Sequence, residues 1–172
     1  MIEQAFFEEF PFFIALAVLP VFSGLAIKLS ASALGFTALQ EHALILDELA
    51  GQILSRKNPL ETFTRICIWN IIISSIVISS GAITFGVLPA VWAFLNLGLF
   101  FPDLSLFKLY VHPWVEEAAN ILSVALGIWT GQNLHILLSS LSVFAWLVAS
   151  IFGLYILSAL LETSETHDVL KI

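Results

Sequence analysis

The chain has 172 residues, of which 59% are hydrophobic and only 11% are charged, and its mean hydropathy is +1.00. A soluble domain is about 45–50% apolar and about 25% charged, so this composition excludes an ordinary soluble protein and predicts an integral membrane protein. The 13 acidic residues outnumber the 6 basic ones, which excludes nucleic acid as a partner because phosphate binding needs a basic surface. The single cysteine, Cys67, excludes an internal disulfide and a four-cysteine zinc site.

The first apolar stretch covers residues 10–29, close to the roughly 20 residues that cross a bilayer. The residues before it carry Glu3, Glu8 and Glu9 but no basic residue, whereas a signal peptide begins with positive charge. We therefore expect this segment to be retained as the first membrane span. Pro20 lies in its second half, where proline removes a backbone hydrogen bond and favours a kink.

Apolar residues then recur every three or four positions over residues 36–55, with acidic and amide side chains on the other faces. This spacing predicts an amphipathic helix that ends before Asn58 and Pro59. Its apolar face is expected to pack against the spans of the same chain, or against a partner helix or a second copy. Because the polar face is acidic, protein is a better match for this helix than anionic lipid.

The 36 residues from Ile66 to Phe101 contain no charge and are too many for one crossing. Two glycines, Gly81 and Gly86, precede a proline at position 89 and predict a turn in this region. The turn divides the stretch into spans over residues 66–83 and 87–101. Both are short, so two crossings, or one crossing and a re-entrant segment, fit the pattern.

Two further spans are predicted at residues 110–130 and 134–161, followed by a polar tail that begins at Glu162. The whole chain, 1–172, is then a single all-α membrane domain: a polytopic bundle of five spans with the amphipathic helix beside it. The six basic residues fall between spans one and two, between spans three and four, and after span five. This pattern predicts a multi-pass protein of a prokaryotic cell membrane, with its N-terminus outside and with the amphipathic helix and the C-terminus in the cytoplasm.

The fourth span carries most of the polar side chains within the predicted spans. They step by three or four residues and share one helix face: His112, Glu116, Asn120, Ser123 and Gly127, with Glu117 about a quarter turn away. A histidine and a carboxylate at this spacing can share a proton or line a polar route. The alternative is that they fasten the bundle together by pairing with each other, with Asn70, with Asn96 or with tryptophan indoles. No third metal ligand accompanies them, so we predict no metal site.

Sequence patterns of intramembrane enzymes are not met. The chain lacks the H-E-x-x-H pattern of zinc proteases and the Gly-x-Ser-x-Gly pattern of serine hydrolases. Glu116 and Glu117 match the start of the E-E-x-x-x-R pattern of prenyl-protein proteases, but Ile121 stands in the place of the arginine. We therefore predict no catalytic residue, no cofactor and no enzymatic activity.

A family resemblance rests on the stretch from Asn70 to Gly86, on Asn96 and Gly98, and on the sequence H-P-W-V-E-E-A-A-N that begins at His112. Over residues 66–161 the chain resembles the stage II sporulation protein M family of integral membrane proteins. The resemblance maps the family's polar and glycine positions onto Asn70, Gly81, Gly86, Asn96, His112, Glu116, Gly127 and Gly131. Two positions depart from the family pattern, because Pro113 replaces a glycine and Leu97 separates Asn96 from Gly98.

In spore formers, members of that family act with proteins that remodel peptidoglycan during engulfment. The resemblance therefore implies a non-enzymatic scaffold or assembly subunit of a membrane complex. Its partners are expected to be the lipid bilayer, other membrane proteins and further copies of the chain. The stripe Ala145, Ala149 and Gly153 is a helix-contact pattern, either within the bundle or between subunits. The alternative function is a permease or channel-like transport subunit that uses His112 and Glu116.

Overall fold

The computed structural model describes residues 2–35, 45, 58–100 and 110–169. These residues form helices and no strand. Helix α1 is Ile2–Ala33, α2 is Pro59–Thr84, and α3 is Val87–Trp92 followed without interruption by a π-helical segment, Ala93–Leu99. Helix α4 is His112–Gln132, and a 3₁₀ segment, Leu134–Ser140, leads into α5, Leu141–Val169. The predicted amphipathic helix at residues 36–55 lies outside the described residues except for position 45.

Three described segments are long and apolar enough to cross a membrane: Phe6–Ala33, Pro59–Thr84 and Leu134–Glu165. In each of them at most 33% of the most apolar window is buried inside the protein. Large apolar side chains point outward instead; Ile83 is 80% exposed and Phe22 is 64% exposed. Helices of transmembrane length with apolar outer surfaces indicate a membrane protein.

Five spans are not established by these lengths. Helix α4 has 21 residues, but its polar N-terminal half keeps it outside the group of strongly apolar helices. Helix α3 together with its π-helical segment has only the 13 residues Val87–Leu99, which extend at most about 20 Å. That length is short of the roughly 30 Å of a hydrocarbon core.

The N-terminus of α2 is capped by the residues next to it in the sequence. The Asn58 side chain accepts a hydrogen bond from the Leu60 backbone N–H at 3.0 Å, and Pro59 occupies the first helical position. The helix consequently begins at residue 59, about two turns before the predicted start at residue 66. Glu61 and Arg65 form an exposed ion pair of 3.0 Å on its first turns.

The break between α2 and α3 lies within the stretch for which a turn was predicted. Helix α2 ends at Thr84, because Phe85 and Gly86 adopt positive φ angles of 54° and 84°. Glycine tolerates this left-handed conformation, whereas a residue with a side chain rarely adopts it. Helix α3 restarts at Val87 and runs back antiparallel to α2.

Helix α4 is the centre of the bundle, and every residue from 123 to 131 is buried. Helix α2 runs parallel to α4, since Ser74 contacts Ser123 and Gly81 contacts Gly127. Helix α5 runs antiparallel to α4, with Tyr155 beside Ser123.

Helix α1 is also antiparallel to α4, and the Phe6 ring packs edge-on against the buried Trp129 indole with ring centroids 4.6 Å apart. The N-terminal part of α1 therefore lies beside the C-terminal part of α4. This packing places the N-terminus of α4, the C-terminal half of α5 and the C-terminal end of α1 at one end of the bundle. The Phe85–Gly86 turn lies at the other end.

Glycines allow helix backbones to touch on both sides of the central helix. A Cβ atom built on Gly81 would lie 1.9 Å from the Gly127 carbonyl oxygen, and one on Gly131 would lie 2.3 Å from the Gly86 nitrogen. On the other side of the bundle, a Cβ on Gly24 would lie 2.4 Å from the Phe94 carbonyl oxygen. Small residues at helix contacts are typical of membrane bundles, where close backbone packing replaces the hydrophobic effect.

Candidate functional site

A cluster of polar side chains lies between α4 and α5 at the end of the bundle opposite the Phe85–Gly86 turn. Helix α4 presents the face predicted from its residue spacing, and α5 presents a matching polar face to it. We call these residues and one serine of α2 the polar cluster: His112, Glu116, Glu117, Asn120 and Ser123 of α4, Tyr155, Ser158, Glu162 and Glu165 of α5, and Ser74 of α2.

His112, the first residue of α4, is paired with a carboxylate of α5. Its Nδ1 atom contacts Glu165 Oε2, and both side chains are only about one-fifth exposed, at 19% and 22%. Glu165 Oε1 accepts a hydrogen bond from the Val111 backbone N–H at 3.0 Å, and the His112 carbonyl accepts one from Ser158 Oγ at 3.3 Å. The partner of His112 is therefore Glu165 on another helix.

Deeper in the bundle, hydroxyl and amide groups form a chain of polar contacts across three helices. Tyr155 Oη donates to Asn120 Oδ1 at 2.6 Å, and Tyr155 Oη also lies 3.3 Å from Ser123 Oγ. Ser123 Oγ donates its hydrogen to the Ala119 carbonyl at 2.8 Å and accepts a hydrogen bond from Ser74 Oγ at 2.8 Å. Buried polar groups are costly unless they are paired, so this chain holds α2, α4 and α5 in one arrangement.

Three further carboxyl groups lie between the His112 pair and the chain of polar contacts. Glu116, Glu117 and Glu162 are all partly buried. Glu117 accepts a hydrogen bond from the Asn120 side chain, and Glu116 lies within electrostatic range of both Glu117 and Glu162. This part of the polar cluster is therefore acidic and can attract a cationic group.

A metal centre does not follow from this arrangement. Within residues 2–35, 58–100 and 110–169, no three His, Cys, Asp or Glu side chains converge in a geometry that could hold a metal ion. The histidine of the polar cluster, His112, is paired with Glu165.

The remaining predicted site residues lie at different places. Asn70 is 7% exposed, one turn before Ser74 on the same face of α2, and its Nδ2 atom has no hydrogen-bond partner among the residues that the structure describes. Asn96 is on the exposed side of α3, where Nδ2 donates to the Trp92 carbonyl at 3.2 Å. Asn96 is thus not part of the polar cluster.

The two glycines predicted to form a turn lie against the other half of α4. Gly81 contacts the Gly127 backbone, and a Cβ on Gly86 would lie 2.9 Å from the Ile128 Cα. They serve the packing of the turn against the central helix and do not take part in the polar cluster.

Sequence reasoning missed the half of the polar cluster that α5 contributes. The last helix was predicted to end at residue 161, but α5 continues through the polar tail to Val169, and Glu165 of that tail contacts the start of α4. A signal was present in the sequence, since Tyr155, Ser158, Glu162 and Glu165 step by three, four and three and share one helix face.

Comparison of the chain with protein-family models, with curated proteins and with solved structures finds no match.

Proposed function

We propose that this protein is a non-enzymatic, multi-pass subunit of a multi-protein complex in a prokaryotic cell membrane, where it acts as a scaffold for assembly. The proposal rests mainly on the close packing of α2 against α4 at the inner end of the polar cluster. Its polar side chains extend from His112 to Ser74, and beyond Ser74 the backbones of α2 and α4 are in direct contact at Gly81 and Gly127.

This contact argues against a transport route through one chain. An ion or water molecule that reached Ser123 would meet helices that leave no room even for a Cβ atom at Gly81. The cluster also supplies partners for its own groups, with His112 on Glu165 and Tyr155 on Asn120. Paired polar groups at helix contacts hold a membrane bundle in a single arrangement, which is what a scaffold requires.

The helix directions support the proposed topology of five spans with the N-terminus outside. Helices α1, α3 and α5 run in one direction, and α2 and α4 run in the other, as five alternating crossings require. Among the described basic residues, Lys28 near the end of α1 and Arg65 near the start of α2 lie at the same end of the bundle as His112. We assign that end to the cytoplasm because basic residues favour the cytoplasmic side.

The resemblance to the stage II sporulation protein M family supports the same class of function. The motif residues His112 and Glu116 lie within the polar cluster, and Gly81, Gly86 and Gly127 lie where helices touch. In this proposal the motif maintains the shape of the bundle, and the outer helix faces bind other proteins of the complex.

The second candidate is a transport subunit, and one observation favours it. Glu165 contacts His112, and Glu116, Glu117 and Glu162 lie near one another at the same end of the bundle. Ionisable side chains grouped within a membrane bundle are typical of ion and proton pathways. A route would then have to run along the outside of α4, between this chain and a neighbouring subunit.

Glu116→Gln separates the two candidates, because it removes the titratable proton but keeps the shape and most of the hydrogen-bonding capacity. The tagged variant and the wild type would be extracted from native membranes in a mild detergent and compared for co-purified proteins and for complementation of a deletion strain. Glu165→Gln provides a matched second variant within the polar cluster, and Ile76→Leu on the exposed face of α2 is the control outside it.

The scaffold proposal predicts a stoichiometric set of co-purified membrane proteins and full complementation by Glu116→Gln. Loss of complementation by a Glu116→Gln protein that is still folded and still bound to the same partners would favour the transport subunit. Recovery of the wild-type protein with no stoichiometric partner would refute the scaffold.

A further inference from the structure

The orientation of α3 about its own axis is fixed by close contact with α1. A Cβ atom on Gly98 would lie 2.7 Å from the Val21 carbonyl oxygen, and one on Gly24 would lie 2.7 Å from the Leu99 nitrogen. Ala93 and Leu97 are buried on the same side of α3. The opposite side of α3 cannot turn inward without breaking these backbone contacts.

That opposite side presents a row of apolar side chains and one amide. Leu88 is 50% exposed, Val91 is 44% exposed and Leu95 is 36% exposed, and the exposed Asn96 lies directly beside Leu95. The spacing of three and four residues between Leu88, Val91 and Leu95 is the spacing of a helix-packing seam. We call these four residues the α3 seam.

In the proposed five-span topology, Asn96 lies near the middle of the hydrocarbon region. It is nine residues beyond Val87, where α3 leaves the turn, which corresponds to about 14 Å at 1.5 Å per residue. The hydrocarbon core is about 30 Å thick, so the amide lies near its centre. An asparagine that faces lipid at this depth is unfavourable, because hydrocarbon offers it no hydrogen-bond partner.

The contacts of Asn96 leave part of its hydrogen-bonding capacity unused. Among the residues that the structure describes, its side chain makes one hydrogen bond, from Nδ2 to the Trp92 carbonyl. A primary amide has two donor hydrogens and an acceptor oxygen, so one N–H and the oxygen remain. The segment that carries Asn96 is π-helical, a local form that is frequent at functional sites.

We propose that the α3 seam is the contact between two copies of this chain, related by a twofold axis that brings the two Asn96 side chains together. An amide is self-complementary, because the N–H of one copy can donate to the oxygen of the other and the reverse. A twofold contact brings the same residue of both copies together. A second copy therefore supplies hydrogen-bond partners for the remaining N–H and oxygen of Asn96 without any additional polar group. Asparagine side chains associate membrane helices in this way.

Crosslinking in native membranes tests the contact. Asn96→Cys and Leu95→Cys would be made in a Cys67→Ser background and treated with a short bis-maleimide. Ile76→Cys is the matched control, since Ile76 is 62% exposed on α2 and lies about 12 Å before the end of that helix, at a comparable depth. The proposal predicts a covalent dimer at positions 95 and 96 and none at position 76.

Self-association of the purified protein in vesicles, measured by energy transfer between labelled copies, gives a second readout. Asn96→Leu should weaken association about 3- to 30-fold, the range that one or two interhelical hydrogen bonds in a membrane provide. Asn96→Gln should retain most of the association, and Ile76→Leu should leave it unchanged. The measurement needs no other protein, so its failure would leave the proposed assembly function standing.

Three results would overturn the proposal. The first is equal crosslinking at positions 76 and 96, and the second is unchanged association of Asn96→Leu. The third is a crosslink from position 96 to a segment of the same chain or to a different protein, which would identify another occupant of the α3 seam.

Discussion

Replacing Gly81 by alanine tests the closest backbone contact in the bundle. The added methyl group would lie 1.9 Å from the Gly127 carbonyl oxygen, so α2 and α4 would have to separate by more than about 1 Å to reach an ordinary contact distance. A gap of about 0.5–1 Å already removes a quarter to a half of the dispersion energy of the atoms around it. Overpacking against a backbone that cannot rotate away belongs at the upper end of the usual range, about 3 kcal/mol.

Alanine has a better helix propensity than glycine, which offsets this loss by about 1 kcal/mol. We therefore expect Gly81→Ala to lower the free energy of unfolding by about 2 kcal/mol. Gly153→Ala is the matched control, because a Cβ at Gly153 meets no atom within 4 Å and the substitution should stabilise α5 slightly. Both variants would be unfolded reversibly in mixed micelles and followed by tryptophan fluorescence and circular dichroism.

The comparison of the two variants refutes or supports the reasoning directly. If Gly81→Ala were as stable as the wild type, α2 and α4 would not be in backbone contact, and the argument against a route between them would fail. If Gly153→Ala lost as much stability as Gly81→Ala, the loss would not come from the contact with Gly127.

Three other predictions follow from single contacts. Tyr155→Phe keeps the ring but leaves Asn120 Oδ1 without its 2.6 Å donor, and it should lower the unfolding free energy by about 1–2 kcal/mol in the same assay; an unchanged value would contradict the chain of polar contacts. Gly86→Ala forces alanine into a φ of 84° and should lower the melting temperature, and a higher melting temperature would contradict the turn. Cysteines at positions 57 and 8 of a cysteine-free variant, in place of Lys57 and Glu8, should react with an impermeant maleimide in intact cells only at position 8, and labelling at position 57 would refute the five-span topology.

The helix ends of the central region could be predicted because their signals are local. Asn58 and Pro59 form a cap that depends only on neighbouring residues, and Gly86 marks a turn through its own φ angle. The predicted start of α2 was late because residues 59–65 are polar enough to be taken for a loop, whereas the cap allows a helix to begin among them.

Only the α4 residues of the polar cluster could be predicted, because its pairs join residues that are far apart in the sequence. The spacing of His112, Glu116 and Asn120 identifies one face of α4, but nothing near it indicates that Glu165 lies opposite, 53 residues later. Asn96 was grouped with these residues because it is polar and within a predicted span. Its actual direction depends on which face of α3 the α1 backbone touches, and that pairing of Gly24 with Gly98 is visible only in three dimensions.

The contact of Glu165 with Val111 and His112 has a consequence for how the protein is made. The residue before α4, Val111, provides no side-chain hydrogen bond to the helix N-terminus, and the carboxylate of Glu165 occupies that position instead. A negative group there offsets the positive end of the helix dipole. The ribosome delivers Glu165 more than 50 residues after Val111, so α4 is synthesised before the carboxylate that caps its N-terminus, and this contact forms only when almost all of α5 has been made. Completion of the central helix is thereby coupled to the arrival of the last one.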